Sequence, residues 1–249
     1  MTAAPHGRSD TDGDLELLGS GRLTVLGRLT GASNTTLYCE VAGAGRVAAC
    51  VYKPVAGERP LWDFPDGTLA GREVAAHAVS QALGWDLVPP TVYRDDAPHG
   101  PGMVQLWIDV DTAVDPVELA RDTADPRLRR MAVFDAVINN SDRKIGHLLP
   151  TPDGRLYGCD HGVSFSAEYK LRTVLWQWAG QPLPGEAVER LAALRESLAD
   201  PGSPLSRTLA RHLTDTERYA TRRRVEVLCE HRVHPYPPED WPALPWPPI

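Results

Sequence analysis

The run FDAVINNSDRKIGHLL (residues 134–149), followed ten residues later by CDHGVSF (residues 159–165), carries the most information in this chain. Upstream of it, Asp125-Pro126 predicts a helix start, with aspartate as N-cap and proline at the first helical position. Leu128, Met131, Ala132, Phe134, Val137 and Ile138 then recur at helical spacing. Asn139-Asn140 predicts the helix end, because asparagine tolerates left-handed backbone. The loop that follows holds Asp142, Lys144 and His147. A short strand, a TPDG turn and a returning strand over residues 155–159 lead to Asp160, eighteen residues after Asp142. Such a hairpin brings Asp142, Lys144, His147 and Asp160 to one edge.

Those four side chains are the parts that phosphoryl transfer calls for. A carboxylate, Asp142, orients the attacking hydroxyl, and Lys144 offsets charge on the transferring group. His147 and Asp160 hold a divalent ion, Mg²⁺ or Mn²⁺; an imidazole suits Mn²⁺ at least as well as Mg²⁺. Protein kinases order the same functions as HRDxxxxN and then DFG. Here Asp142 to His147 keeps the first spacing, and Asp160-His161-Gly162 stands for the second. His161 reads as a packing or hydrogen-bonding residue, and Asp135 as an acceptor for the loop.

The remaining parts of an ATP site have candidates upstream in the expected order. Residues 23–29 and 37–42 read as a hairpin whose tip, LTGASNTT, offers backbone N–H groups around Ser33 and Asn34 to phosphate. Strict alternation over residues 46–53 puts Val47, Ala49, Val51 and Lys53 on one strand face. Residues 68–83 read as a helix stopped by Gly84, with Glu73 beside its apolar stripe. Lys53 is the candidate for the α/β-phosphates and Glu73 for its carboxylate partner. The strand MVQLWI, with Gln105 and Trp107, is the candidate for contacting adenine.

Composition bounds the reading from outside. The chain has 249 residues and a formal net charge of −7, which gives bulk nucleic-acid binding no electrostatic support. No apolar run approaches the ~20 residues of a membrane span. The first fourteen residues lack the apolar core of a signal peptide, so the cytoplasm is the expected compartment. Cys39, Cys50, Cys159 and Cys229 form no metal-ligand pair and read as reduced thiols. Only three lysines, Lys53, Lys144 and Lys170, stand among 26 basic residues, and the asparagines are Asn34, Asn139 and Asn140. Where arginine is the default cation, a surviving lysine points to a role for a compact ammonium.

These elements predict an α+β fold of two lobes. Residues 1–14 are expected to be disordered, 15–108 to form a β-rich N-lobe containing the helix over 68–83, and 109–234 to form a helical C-lobe. Further helices are expected over 184–199 and 205–231, with Arg222–Arg224 on a solvated face. Residues 235–249 hold seven prolines with Trp241 and Trp246. They predict an extended tail docked on the protein's own surface.

The two opening stretches resemble the catalytic and metal-binding loops of phosphatidylinositol 3-/4-kinase-like proteins, which carry an NxDR or GDR loop and a later DxG. VYKP (residues 51–54) and REVAAHAVSQALGWDLVPPTV (residues 72–92) are similar to their phosphate lysine, glutamate-bearing helix and following strand. A small actinobacterial branch related to these kinases is the nearest likeness, and HipA-type serine kinases share the plan. The resemblance spans residues 20–175. It implies a two-lobed, protein-kinase-like fold of the atypical kind, with a small antiparallel N-lobe and a helical C-lobe. It also implies an ATP-dependent phosphotransferase acting on a hydroxyl of an unidentified protein, lipid or small-molecule acceptor. His147 departs from the asparagine usual in those families. Two other readings compete: a nucleotide-binding pseudokinase or scaffold without turnover, and a metal-dependent hydrolase using Asp142, His147, Asp160 and His161.

Overall fold

The computed structural model describes residues 11–249. The chain divides into two compact units. One comprises the chain up to Arg59 together with Pro90–Trp107, and the other Pro60–Pro89 together with Ile108–Ile249.

The first unit is a five-stranded antiparallel sheet with one helix. Helix α1 (Thr11–Ser20) precedes strands β1 (Arg22–Arg28), β2 (Leu37–Gly43) and β3 (Arg46–Pro54). Strands β4 (Thr91–Arg94) and β5 (Gly102–Leu106) complete it, in the order β1-β2-β3-β5-β4. Alternation along β3 sends Cys50 and Tyr52 into a core with Val41, Val104 and Leu18. The other face ends in Lys53 and is the more open one, with Val47 63% exposed. Lys53 pairs with Met103, and a Cβ at the preceding position, Gly102, would collide with the Lys53 carbonyl oxygen. Glycine there lets β5 approach the strand that carries the lysine.

The disordered leader expected over 1–14 lies outside the described residues as far as residue 10, and residues 11–14 open α1 instead. Leu17 and Leu18 bury against the sheet, and Asp14 pairs with Arg46 at 2.5 Å. Packing of that leucine pair outweighs the polar composition around it.

The second unit holds helices α2 (Leu69–Leu83), α3 (Pro116–Arg121) and α4 (Pro126–Ile138), then the hairpin β6 (Leu148–Pro150) and β7 (Leu156–Gly158). Helices α5 (Gly185–Ala199), α6 (Pro204–His212) and α7 (Asp215–His231) follow. Gly84 caps α2 at φ +66°, a conformation in which glycine avoids strain. The apolar stripe of α2, Ala75, Ala76, Val79 and Leu83, belongs to one core with Leu191, Leu205 and Leu209. The helix expected in the β-rich lobe is thus part of the helical unit. Arg72 fixes it there, donating to Glu217 at 2.5 Å and to the Ser164 carbonyl at 2.8 Å.

The single helix expected over 205–231 is two. Thr214 caps α7 in a reciprocal box with Glu217, which ends α6 at His212. The tail runs along the same unit. Trp176 and Thr173 donate to the Ala243 carbonyl at 2.8 and 3.1 Å, and the Ile145 N–H donates to Pro248 at 2.9 Å. Trp241 lies beside Trp62 with the rings tilted by 46° and Lys170 over both, whereas Trp246 is 86% exposed.

Two substitutions grade this packing. Leu83→Ala is expected to cost about 2–5 kcal/mol and Thr214→Ala about 1 kcal/mol in urea unfolding. A Leu83→Ala cost below that of the cap variant would contradict the assignment of α2 to this core.

Candidate active site

Helix α4 aims the loop that follows it. Asp125 caps its first turn, accepting from the Arg127 N–H at 2.7 Å, and Asn139 ends it in left-handed conformation at φ 53°. The two rare asparagines then divide the work. The Asn139 amide donates to the carbonyls of Ser166 and Glu168 at 3.0 and 2.6 Å and accepts from the Lys170 N–H, holding the segment after DHG. Asn140 donates to Asp135 at 3.0 Å and accepts from the Asp142 N–H at 3.0 Å, which sets the direction of Asp142.

Beneath the loop lies Arg143, whose side chain has 0% exposure. It donates to both Asp135 oxygens, with Nη2–Oδ1 at 2.8 Å and Nε–Oδ2 at 3.0 Å. Its other bonds go to the Cys159 carbonyl at 3.0 Å and to His161 Nε2 at 2.7 Å. A guanidinium only donates, so His161 Nε2 accepts and the ring proton sits on Nδ1, 3.7 Å from Glu73 Oε2. Glu73 also accepts from the His161 backbone N–H at 2.9 Å and is 1% exposed. The DHG loop is thereby tied to both α4 and α2.

Above this frame lie the chemical groups, mostly buried except for Asp160. Asp142 Oδ2 lies 3.2 Å from Lys144 Nζ, and Oδ1 lies 3.2 Å from Arg172 Nη2. Arg172 also donates through Nε to the Ser141 carbonyl at 2.7 Å. Burial pushes the Asp142 carboxyl above its usual range, against the pull of both cations. His147 Nε2 lies 3.6 Å from Asp160 Oδ2. Asp160 takes left-handed backbone at φ 61°, a conformation disfavoured for a non-glycine residue, and its side chain is 54% exposed.

Burial holds the His147 imidazole neutral, pushed down to about 4. Its Nδ1 accepts from the Lys144 N–H at 3.4 Å, which leaves the proton on Nε2, toward Asp160. A neutral ring nitrogen beside a carboxylate is a suitable donor pair for Mn²⁺ or Mg²⁺, provided the ring changes tautomer and gives up that long contact. Among the described residues, no cluster of three or more His, Cys, Asp or Glu side chains is arranged around a metal position. His161, which the hydrolase reading requires at the metal, points instead into the Arg143–Glu73 network.

The other candidates lie in the sheet unit. Lys53 is half-buried on β3, and Ser33 is exposed at the hairpin tip. Asn34 accepts from the Arg59 N–H at 2.9 Å through its side chain. The Gln105 amide is committed to Thr91 at 2.8 Å, and the Trp107 ring meets Tyr38 edge to face at 5.0 Å. Arg172 and the burial of Arg143 escape the sequence reading. Arg172 belongs to no motif, and nothing local distinguishes Arg143 from an exposed loop arginine.

This architecture is kinase-like: an antiparallel-sheet N-lobe and a helical C-lobe, as in solved structures of hydra Fam20 with sugar and of the Golgi casein kinase with Mn/ADP bound. The first has a TM-score of 0.60 at 16% identity and covers 90% of this chain and 89% of the other. The second has a TM-score of 0.60 at 15% identity, with 89% and 75% covered. By sequence, the chain belongs to the family of Protein Rv2133c of Mycobacterium tuberculosis (strain ATCC 25618 / H37Rv). It is 46% identical to that protein over 271 aligned positions, which cover 94% of this chain and 96% of the relative. No family model matches the chain. No helix among the described residues is long and apolar enough to cross a membrane.

The buried histidines make stability depend on pH. His77, His147 and His234 are each pushed down to about 4 by burial. The unfolded chain takes up these protons from about pH 6.5 downward, while the folded chain resists until about pH 4. Stability is therefore complete above pH 6.5 and falls as pH drops toward 4, by up to about 1.4 kcal/mol per pH unit for each histidine. Urea unfolding at pH 7.5 and pH 5.0 is expected to give a clearly lower stability at pH 5.0; equal values would contradict the neutral burial of these rings.

Proposed function

We propose that the protein transfers the γ-phosphate of ATP to a hydroxyl group on an acceptor. The observation that carries this reading is the Asp142 carboxylate. It is aimed by Asn140, flanked by Lys144 and Arg172 at 3.2 Å, and set on the same loop-and-hairpin edge as His147 and Asp160. Asp142 orients the acceptor hydroxyl and takes its hydrogen bond; its raised carboxyl range suits proton acceptance. Lys144 offsets negative charge as it develops on the phosphoryl oxygens. His147 and Asp160 would hold Mg²⁺ or Mn²⁺, which supplies charge neutralisation on the phosphates. Lys53 is assigned to the α/β-phosphates with Glu73 as its supporting carboxylate, the N–H groups around Ser33 and Asn34 to phosphate, and the strand of Gln105 and Trp107 to adenine.

The fold shared with a Golgi casein kinase whose structure holds Mn and ADP supports the choice of nucleotide and metal. The finer affinity with phosphatidylinositol 3-/4-kinase-like proteins rests on the DR and DHG loops and leaves the acceptor open among protein, lipid and small-molecule hydroxyls. We assign the protein to the cytoplasm on its four free thiols.

One observation favours a second reading, a nucleotide-binding scaffold without turnover: the His147 proton faces Asp160, where a metal ligand needs a lone pair. Release or transfer of labelled γ-phosphate with Mg²⁺ and with Mn²⁺ separates the two. The kinase reading predicts turnover that falls at least 100-fold in Asp142→Ala and in Asp160→Ala. It also predicts that His147→Asn, which supplies an amide oxygen, keeps turnover and shifts the preference toward Mg²⁺. Nucleotide binding without turnover with either metal would favour the scaffold.

A further inference from the structure

Away from these loops, the helical unit carries a cleft of about 590 Å³ that no part of the proposed reaction uses. That volume lies within the roughly 300–1,000 Å³ of small-molecule sites. Helix α7 forms one wall through Tyr219, Ala220 and Val227, and Ala136 of α4 lines it from another side. Tyr169, after the DHG segment, and Tyr236, in the tail, complete the aromatic rim. Tyr219, Val227, Tyr236 and Tyr169 all rank among the exposed large apolar side chains, so an apolar patch converges on one opening.

The charge in this cleft has one sign. Arg223 and Arg224 are the only charged residues that line it among the described residues. Arg223 pairs outward with Glu226. Arg224 turns inward, away from the solvated face expected for Arg222–Arg224, which Arg222 and Arg223 do occupy. Its hydrogen bonds go to neutral oxygens: the Val137 carbonyl at 3.0 Å, the Ser166 carbonyl at 3.1 Å and Thr221 Oγ1 at 2.9 Å. Among the described residues, no carboxylate pairs with it. Glu217 attracts it at longer range but is engaged by Arg72 at 2.5 Å. A guanidinium has five N–H donors, and three bonds leave two of them unassigned. A partly buried cation without an adjacent counter-charge, at an apolar and tyrosine-rimmed cavity, favours an anion attached to an apolar body.

We propose that this cleft binds an anionic amphiphile, a single hydrocarbon chain ending in a carboxylate, with the head on Arg224 and the chain against Ala136, Ala220 and Val227. The cleft's small volume and its uncompensated positive charge favour this occupant over a second protein surface.

Decanoate below its micellar concentration, titrated calorimetrically into the full chain, is the test. The expected result is saturable one-to-one binding. Affinity should rise about fourfold per methylene from octanoate to decanoate, the fold-change that corresponds to burying one CH₂. Decyltrimethylammonium, with the opposite charge, should bind at least tenfold more weakly. Ala220→Trp, which fills the cleft, should reduce decanoate binding at least tenfold. Val227→Trp, at the exposed rim, should do the same and serves if the first variant fails to fold. Absence of decanoate binding, equal binding by both folded variants, or equal binding of the cationic probe would each overturn the proposal. Self-association that Val227→Trp abolishes, without decanoate binding, would overturn it in favour of a second copy of the chain.

Discussion

Arg143 and Asp135 form an ion pair from which water is wholly excluded, with both side chains at 0% exposure. Desolvating two charges costs several kcal/mol each, and their attraction offsets this only with good geometry and satisfied donors. The geometry is good: the guanidinium meets both oxygens of Asp135 and also bonds the Cys159 carbonyl and His161, so four of its five N–H donors are used. Removing either partner would leave an uncompensated buried charge, a loss of about 3–5 kcal/mol. The pair therefore fixes where α4 ends, where the loop after it turns and where β7 delivers the DHG segment.

Everything chemical in the candidate site is displayed from that buried frame. Asp142 precedes Arg143 directly, so the side chain that anchors the loop also determines where its neighbour points. Asp160 follows Cys159, whose carbonyl Arg143 holds, and its left-handed backbone turns the carboxylate toward solvent. Glu73 closes the network from α2 by accepting from the His161 N–H. Buried ionic packing below, with a mostly buried Asp142 and a half-exposed Asp160 above it, is an arrangement that can meet a charged ligand with little reorganisation.

Much of this was legible in the sequence, for identifiable reasons. The α4 boundary followed from Asp125-Pro126 and Asn139, because capping is local chemistry. The β6–β7 hairpin followed from the TPDG turn, and the role of Asp135 from its place before the loop. Other features depend on contacts distant in sequence. The stripe on α2 announced that the helix is buried without saying against what, and its partners, Leu205 and Leu209, lie some 120 residues on. Arg172 reaches Asp142 across thirty residues with no motif to mark it. The break between α6 and α7 did have a local signal, the Thr214–Glu217 capping box, hidden by apolar spacing that continues through it. Helix α1 was masked by its polar surroundings, although Leu17 and Leu18 are the residues that bury it.

The proposed phosphotransfer requires a metal–nucleotide position held by His147 and Asp160, on the same edge as the Asp142 carboxylate. Paramagnetic broadening of backbone amide resonances on adding Mn²⁺ with ATP measures this directly. ATP-dependent broadening centred on residues 142–147 and 160–162 is expected. Broadening centred elsewhere on the chain, or none at saturating Mn²⁺ and ATP, would contradict this placement.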